Sequence, residues 1–295
     1  MQSFSRGWQF LKQAWQMATA DKDLIKPSIY TLFAGAAVSI IGIIPIVIAT
    51  MLFSNSGVIG QAFLYIGGAL LVFVNFIVSY IFSAMTVYLI YGYLSEGDGR
   101  MDKAWAIVKR DFFDLATLAA ASTVVNAVKN LVKGKGQKTG RNFLAGLIDT
   151  VWTEASYLIL PAMVIEDINL ADGIKRATQI VQDNLLLVGI STVGVKAVTG
   201  LISFALFLTG AGLGSALGFG ITSLAGGTTV TLGLVIGIAL GLLVFFIFMM
   251  IATVISTYTR TAYHTCLYLW ARDAEKAEAS GKVVAAPAPL AAALG

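Results

Sequence analysis

Asp149, Glu154 and Lys196 are ionisable side chains set inside apolar stretches, and that setting asks for chemistry. A charge in hydrocarbon is costly, so it pairs, snorkels to the surface, or lines a path for protons or solutes. Glu154 stands about eleven residues before the charged end of the stretch 143–165, and Lys196 about eleven after the start of the stretch 185–209. At 1.5 Å rise per residue, both come to roughly 17 Å from the same membrane face. The spacing predicts a Glu154–Lys196 pair, with Asp149 as the fallback partner. A structural ion pair and a proton or solute path are both open readings at this point.

Other candidate chemistry is thinner. His264 and Cys266 lie in Tyr263-His264-Thr265-Cys266. One His and one Cys need two more ligands to hold a zinc ion. No nucleophile stands with a base and an orienting acid. Interfacial anchoring beside Tyr258, Tyr263, Tyr268 and Trp270 is the expectation for His264. Cys266 is the single cysteine, which excludes an internal disulfide. The Gly-rich stretch 209–229 lacks the Lys-Ser/Thr of a phosphate loop and reads as an outer connection between helices. Gly233, Gly237 and Gly241 recur every four residues, as do Gly210, Gly214 and Gly218. That spacing lets helix backbones approach closely, within one chain or across an oligomer interface. No cofactor, metal, nucleic-acid partner or enzymatic activity is expected.

The elements that must carry these residues are membrane helices. Hydrophobic residues make up 57% of the 295-residue chain and charged residues 12%, with mean hydropathy +0.82. A soluble domain has about twice that charge fraction. A crossing needs about 20 mostly apolar residues. The stretches 30–53, 58–93, 185–209 and 230–257 satisfy this, and 112–132 and 143–165 carry charges. No secretory signal pattern precedes them. The net charge of +4 reflects basic flanks of the spans.

Lys and Arg near span ends mark the cytoplasmic side. Arg6, Lys12, Lys22 and Lys26, then Arg100, Lys103, Lys109 and Arg110, then Lys175 and Arg176, then Arg260 and Arg272 fall on one side. The uncharged connections 54–57 and 210–229 fall on the other. Both termini are therefore expected inside a prokaryotic inner membrane. The basic run Lys133, Lys135, Lys138 and Arg141 breaks the pattern if both central stretches cross. Asp114, Asn126 and Lys129 leave the third stretch about a dozen clean apolar residues, fewer than a crossing needs. A central hairpin that enters from the cytoplasm and inserts part way is favoured, with six full spans as the alternative.

An internal repeat organises the chain. Phe4, Trp8, Leu11, Trp15 and Ala18 share their spacing with Met101, Trp105, Val108, Phe112 and Leu115, and Leu170, Ile174, Ala177 and Val181 follow it. Each run makes one apolar helix face ahead of a hydrophobic pair. The fold expected is an all-α polytopic membrane helical bundle of three amphipathic-helix-plus-hairpin units. The amphipathic helices should lie in the inner headgroup region, anchored by Trp8, Trp15 and Trp105. Residues 1–272 form one transmembrane domain, and 273–295 an Ala/Pro-rich tail, flexible or ordered by a partner.

Several segments together resemble the DUF6159 family of prokaryotic integral membrane proteins, and more loosely YciC-like and DUF975-like membrane proteins. They are Gly7 through Trp15 with Asp21, Lys22, Asp23, Leu24 and Pro27; Trp152 and Leu160-Pro161 through Glu166 with 171–176; and the Tyr-rich segment 258–271. The resemblance runs nearly to residue 272. It implies an architecture and no activity. The role expected first is a structural or interaction subunit among membrane chains or self-associated copies. The alternative is a small-solute or ion transporter using Glu154, Asp149 and Lys196.

Overall fold

The computed structural model describes residues 2–53, 57–133, 139–183, 185–224, 232–278, 286–287 and 289–291. Each of three units begins with a short helix: α1 (Gln2–Ala20), α4 (Met101–Arg110) and α7 (Leu170–Asp183). A hairpin follows each: α2 (Lys26–Leu52) with α3 (Gly57–Glu96), α5 (Phe112–Lys133) with α6 (Thr139–Glu166), and α8 (Leu185–Leu224) with α9 (Leu232–Glu278). Among the described residues there is no strand.

Local chemistry sets the boundaries. Asp21 caps the 3₁₀ turn Lys22–Leu24 by accepting the Asp23 N–H at 2.9 Å. Its other oxygen accepts the Gly99 N–H at 2.7 Å, which ties the first unit to the start of the second. Pro27 sits in the first turn of α2, where its missing donor costs nothing. Gly97, at φ +80°, takes the left-handed turn that ends α3. Asn169 accepts the Asp172 N–H at 3.0 Å and caps α7. In α4, Asp102 in the first turn and Lys109 and Arg110 in the last complement the helix dipole.

Six helices are long and apolar enough to cross a membrane. α5, at 22 residues, is about 33 Å long, so length admits a crossing that the count of clean apolar residues did not. Contact register adds a second fact. Tyr30 of α2 faces Phe82 of α3, and Tyr80 hydrogen-bonds Ser122 of α5. Beyond that level α2 continues to Leu52 while α5 continues only to Lys133. The described tip of the central hairpin therefore ends about 15 Å short of the α2–α3 tip. The residues that join the two central helices, Lys135 and Lys138 included, lie outside the described residues, as do 54–56 and 225–231.

Two expectations need correction. The fifth stretch does not stop at Thr209; α8 runs on through the glycines to Leu224. The reason is packing: a Cβ on Gly241 would lie 2.5 Å from the Gly214 carbonyl oxygen, and one on Gly237 2.7 Å from that of Gly218. The glycines bring α8 and α9 into backbone contact within one chain. Gly233 belongs to α9, and its surroundings lie outside the described residues. The second concerns Tyr258, Tyr263 and Tyr268, which are fully buried rather than interfacial; α9 runs to Glu278, the charged start of the tail extending it as expected.

The core lies toward the basic side. Phe10 and Ala14 of α1, Met85 to Ile90 of α3, Leu158 to Val164 of α6 and Tyr258 to Leu267 of α9 form it. The Tyr258 hydroxyl donates to the Ala14 carbonyl at 2.9 Å. α1 thus turns Phe10, Ala14 and Met17 onto the bundle and leaves Phe4 and Trp8 exposed. Leu290 of the tail is fully buried in the same core, so this part of the tail is held by its own chain. Farther out, large apolar residues such as Ile41, Leu52 and Phe219 are exposed, a surface that requires lipid to cover it.

Candidate functional site

Glu154 projects from α6, Lys196 from α8 and His264 from α9, and the three meet. Lys196 Nζ is 2.5 Å from Glu154 Oε1, and His264 Nε2 is 3.1 Å from Glu154 Oε2. Two local features position them. Gly7 of α1 packs against the Gly194 backbone, which seats α8 two residues before Lys196. The His264 ring is stacked on Tyr157 at 4.9 Å, is edge-on to Tyr263 at 5.1 Å, and is nearly inaccessible to solvent.

His264 Nδ1 lies 2.8 Å from the Arg260 carbonyl, which can only accept, so Nδ1 donates there. Nε2 faces Glu154 Oε2. Arg260, one helical turn before His264, brings its guanidinium against Tyr157 and adds a further positive charge nearby.

Glu154, Lys196 and His264 border a cavity of about 500 Å³ between α6, α7, α8 and α9. The rest of its wall is largely aliphatic, with Val151, Leu158, Ile174, Val181 and Val193 among its residues. A ligand cavity in proteins spans roughly 300–1,000 Å³ and combines apolar walls with a few convergent polar groups.

A second cavity, of about 170 Å³, lies across α6 between α3 and α5. Its wall is rich in hydroxyls. Tyr80 and Ser122 are 2.6 Å apart, and Trp152 donates Nε1–H to Ser122 at 2.9 Å. Lys129 closes onto Asp149 at 2.7 Å at its edge. Trp152 borders both cavities.

Of the residues singled out in the sequence, Glu154 and Lys196 come together, and Asp149 belongs to a different pair with Lys129. Glu154 stands twelve residues before the end of α6 and Lys196 eleven after the start of α8, so each is about 17 Å from the basic-side end of its helix, as expected. Trp152 is level with Tyr80, and Tyr80 is about level with the first turns of α2. The triad therefore lies within roughly 10 Å of Lys26 along the bundle axis, near the basic side rather than the centre. The two distances differ because α6 runs on past the level of Lys26 to Glu166.

His264 is the residue that sequence reasoning placed elsewhere. It is not an interfacial anchor: α9 continues past Thr257 as an unbroken helix and carries the ring into the interior. The available signal was that apolar and aromatic residues of 258–269 lie all round a continuing helix, the pattern of a buried one. Among the described residues no group of three His, Cys, Asp or Glu could hold a metal ion.

Outside the spans, charge clamps fix the elements around the site. Arg176 of α7 meets Glu275 of α9 at 2.7 Å and Glu166 of α6 at 3.4 Å. Burial works against its charge, but the hydrogen bonds to Glu275 and Tyr268 and the charges of Glu166 and Glu275 outweigh that and push its pKa above the ordinary range. Arg110 joins the start of α5 to the α6–α7 turn through Asp111 at 2.5 Å and Asp167 at 3.2 Å.

No family model matches the chain, nor does any curated protein or solved structure.

Proposed function

We propose that this membrane protein is a small-solute transporter whose solute centre is the cavity bordered by Glu154, Lys196 and His264. The carrying observation is that three ionisable groups from three different helices converge on one side of a cavity that is otherwise largely apolar. An ionisable group inside a membrane bundle is a functional-site candidate by default. The glycines that motivated a subunit of a larger assembly are used within the chain, where they join α8 to α9. The chain is proposed to reside in a prokaryotic inner membrane with both termini cytoplasmic, because the basic residues flank one side. The centre then opens near the cytoplasmic leaflet.

A test is a thermal-shift panel of organic anions, cations and neutral solutes on the purified protein. The double variant E154Q/K196M serves as the control without the ion pair. At least one solute class should stabilise the wild type and not the double variant. A panel with no specific stabiliser, together with a stoichiometric second chain retained in mild detergent, would instead support the structural-subunit reading.

A further inference from the structure

We infer that the cavity binds a monoanionic amphiphile, a single carboxylate on a hydrocarbon tail, with the carboxylate held by Lys196. This rests on the reading of the cavity as the solute centre and names what it takes. Three observations carry it. First, both oxygens of Glu154 are engaged, Oε1 by Lys196 and Oε2 by His264. A cationic solute would have to displace one of them. Lys196, by contrast, has three N–H donors and gives one to Glu154, so its ammonium can serve a second acceptor without breaking the pair. Second, Lys196 and nearby Arg260 set two cations against the one carboxylate of Glu154, so the cluster carries a net positive charge that a carboxylate offsets.

Third, the remaining wall suits a hydrocarbon. Val151, Leu158, Ile174, Val181 and Val193 line it. Lys196 and this wall border the same cavity, so an amphiphile reaches Lys196 with its head while its tail stays in apolar surroundings. α7 closes the cytoplasmic side with the apolar face of an amphipathic helix.

Trp152, at the cavity wall, supplies the readout. The other four tryptophans, Trp8, Trp15, Trp105 and Trp270, are replaced by Phe. Bromine-tagged decanoate is titrated onto this protein in phosphatidylcholine nanodiscs and Trp152 quenching is followed. Competition with untagged decanoate repeats the measurement in the full chain by thermal shift. The expected result is saturable quenching. It should weaken at least tenfold in E154Q/K196M, and also in V193W, which sets an indole at the cavity's exposed edge and leaves all charges in place. Decylamine should compete at least tenfold less well than decanoate. Each methylene removed from the acid should weaken binding about fourfold.

Quenching that does not saturate and is unchanged in both variants is partition into the bilayer, and it overturns the inference. Equal competition by decylamine overturns it as well. If phosphatidylglycerol nanodiscs abolish quenching, and decanoate cannot restore it, the occupant is an anionic phospholipid and the assignment to a single-chain acid is wrong. Binding with the expected pattern but without solute uptake in proteoliposomes would keep this inference and remove the transporter reading. Uptake of another solute that depends on Lys196, without decanoate binding, would do the reverse.

Discussion

Replacing Glu154 by Gln separates the charge of the pair from its shape. The Gln amide carbonyl can still accept from Lys196, and its NH₂ can donate to Nε2 of a neutral His264. The hydrogen bonds survive and the carboxylate charge does not. Breaking one partner of a fully buried pair costs about 3–5 kcal/mol, and exposed pairs are worth about 0.2–1 kcal/mol. Side-chain exposure is 35% for Lys196 and 24% for Glu154, which places this pair between the two limits. The single variant should lose about 2 kcal/mol, a fall of roughly 4–8 °C in Tm. Lys196→Met leaves Glu154 paired with His264 and should cost less. In E154Q/K196M neither charge remains, so the double variant should recover about 1–2 kcal/mol relative to the sum of the singles. The assay is thermal unfolding of all four proteins in one lipid or detergent. Losses that add within about 0.5 kcal/mol would refute the coupling between the two residues.

Three further outcomes follow from the geometry. Gly241→Ala should cost about 1–3 kcal/mol, because its Cβ meets the Gly214 carbonyl oxygen at 2.5 Å, whereas Gly212→Ala, with nothing within 4 Å, should be neutral or slightly stabilising by the same thermal measurement. Arg176→Met should cost about 1.5–3 kcal/mol and increase proteolysis between α6 and α7, since it removes charged hydrogen bonds that clamp α7 to α6 and α9. In a Cys266→Ser background, a cysteine at Thr228 should label with an impermeant reagent from outside, and cysteines at Gln137 and Ser280 should not. Labelling at Gln137 as ready as at Thr228 would show that the central pair crosses fully.

The repeat legible in the sequence is the repeat in the fold, because each unit is written by two local signals: a 3.6-residue apolar face and a long apolar run. Glu154 and Lys196 could be matched from counting alone, since helix rise converts residue number into depth. His264 could not. Its environment is made by Tyr157 from α6 and Tyr263 on its own helix, and only the packing of α6 on α9 brings the first of these to the ring. Asp149 was the fallback partner of Lys196 by depth, but depth carries no information on which side of α6 a residue faces; the helix turns Asp149 toward α5 and Lys129. The helical course of 210–224 was hidden for a similar reason. Glycines favour loops by local propensity, and here contact between two helix backbones outweighs it.

The most direct test of the solute centre is uptake into proteoliposomes of whichever solute stabilises the protein in the thermal-shift panel. Wild type is compared with V193W, which sets an indole at the cavity's exposed edge, and with E154Q/K196M, which removes the ion pair. The account predicts saturable uptake by the wild type and loss in both variants, with all three proteins equally reconstituted. Wild-type uptake no greater than in empty liposomes, or uptake that persists undiminished in both variants, would contradict it.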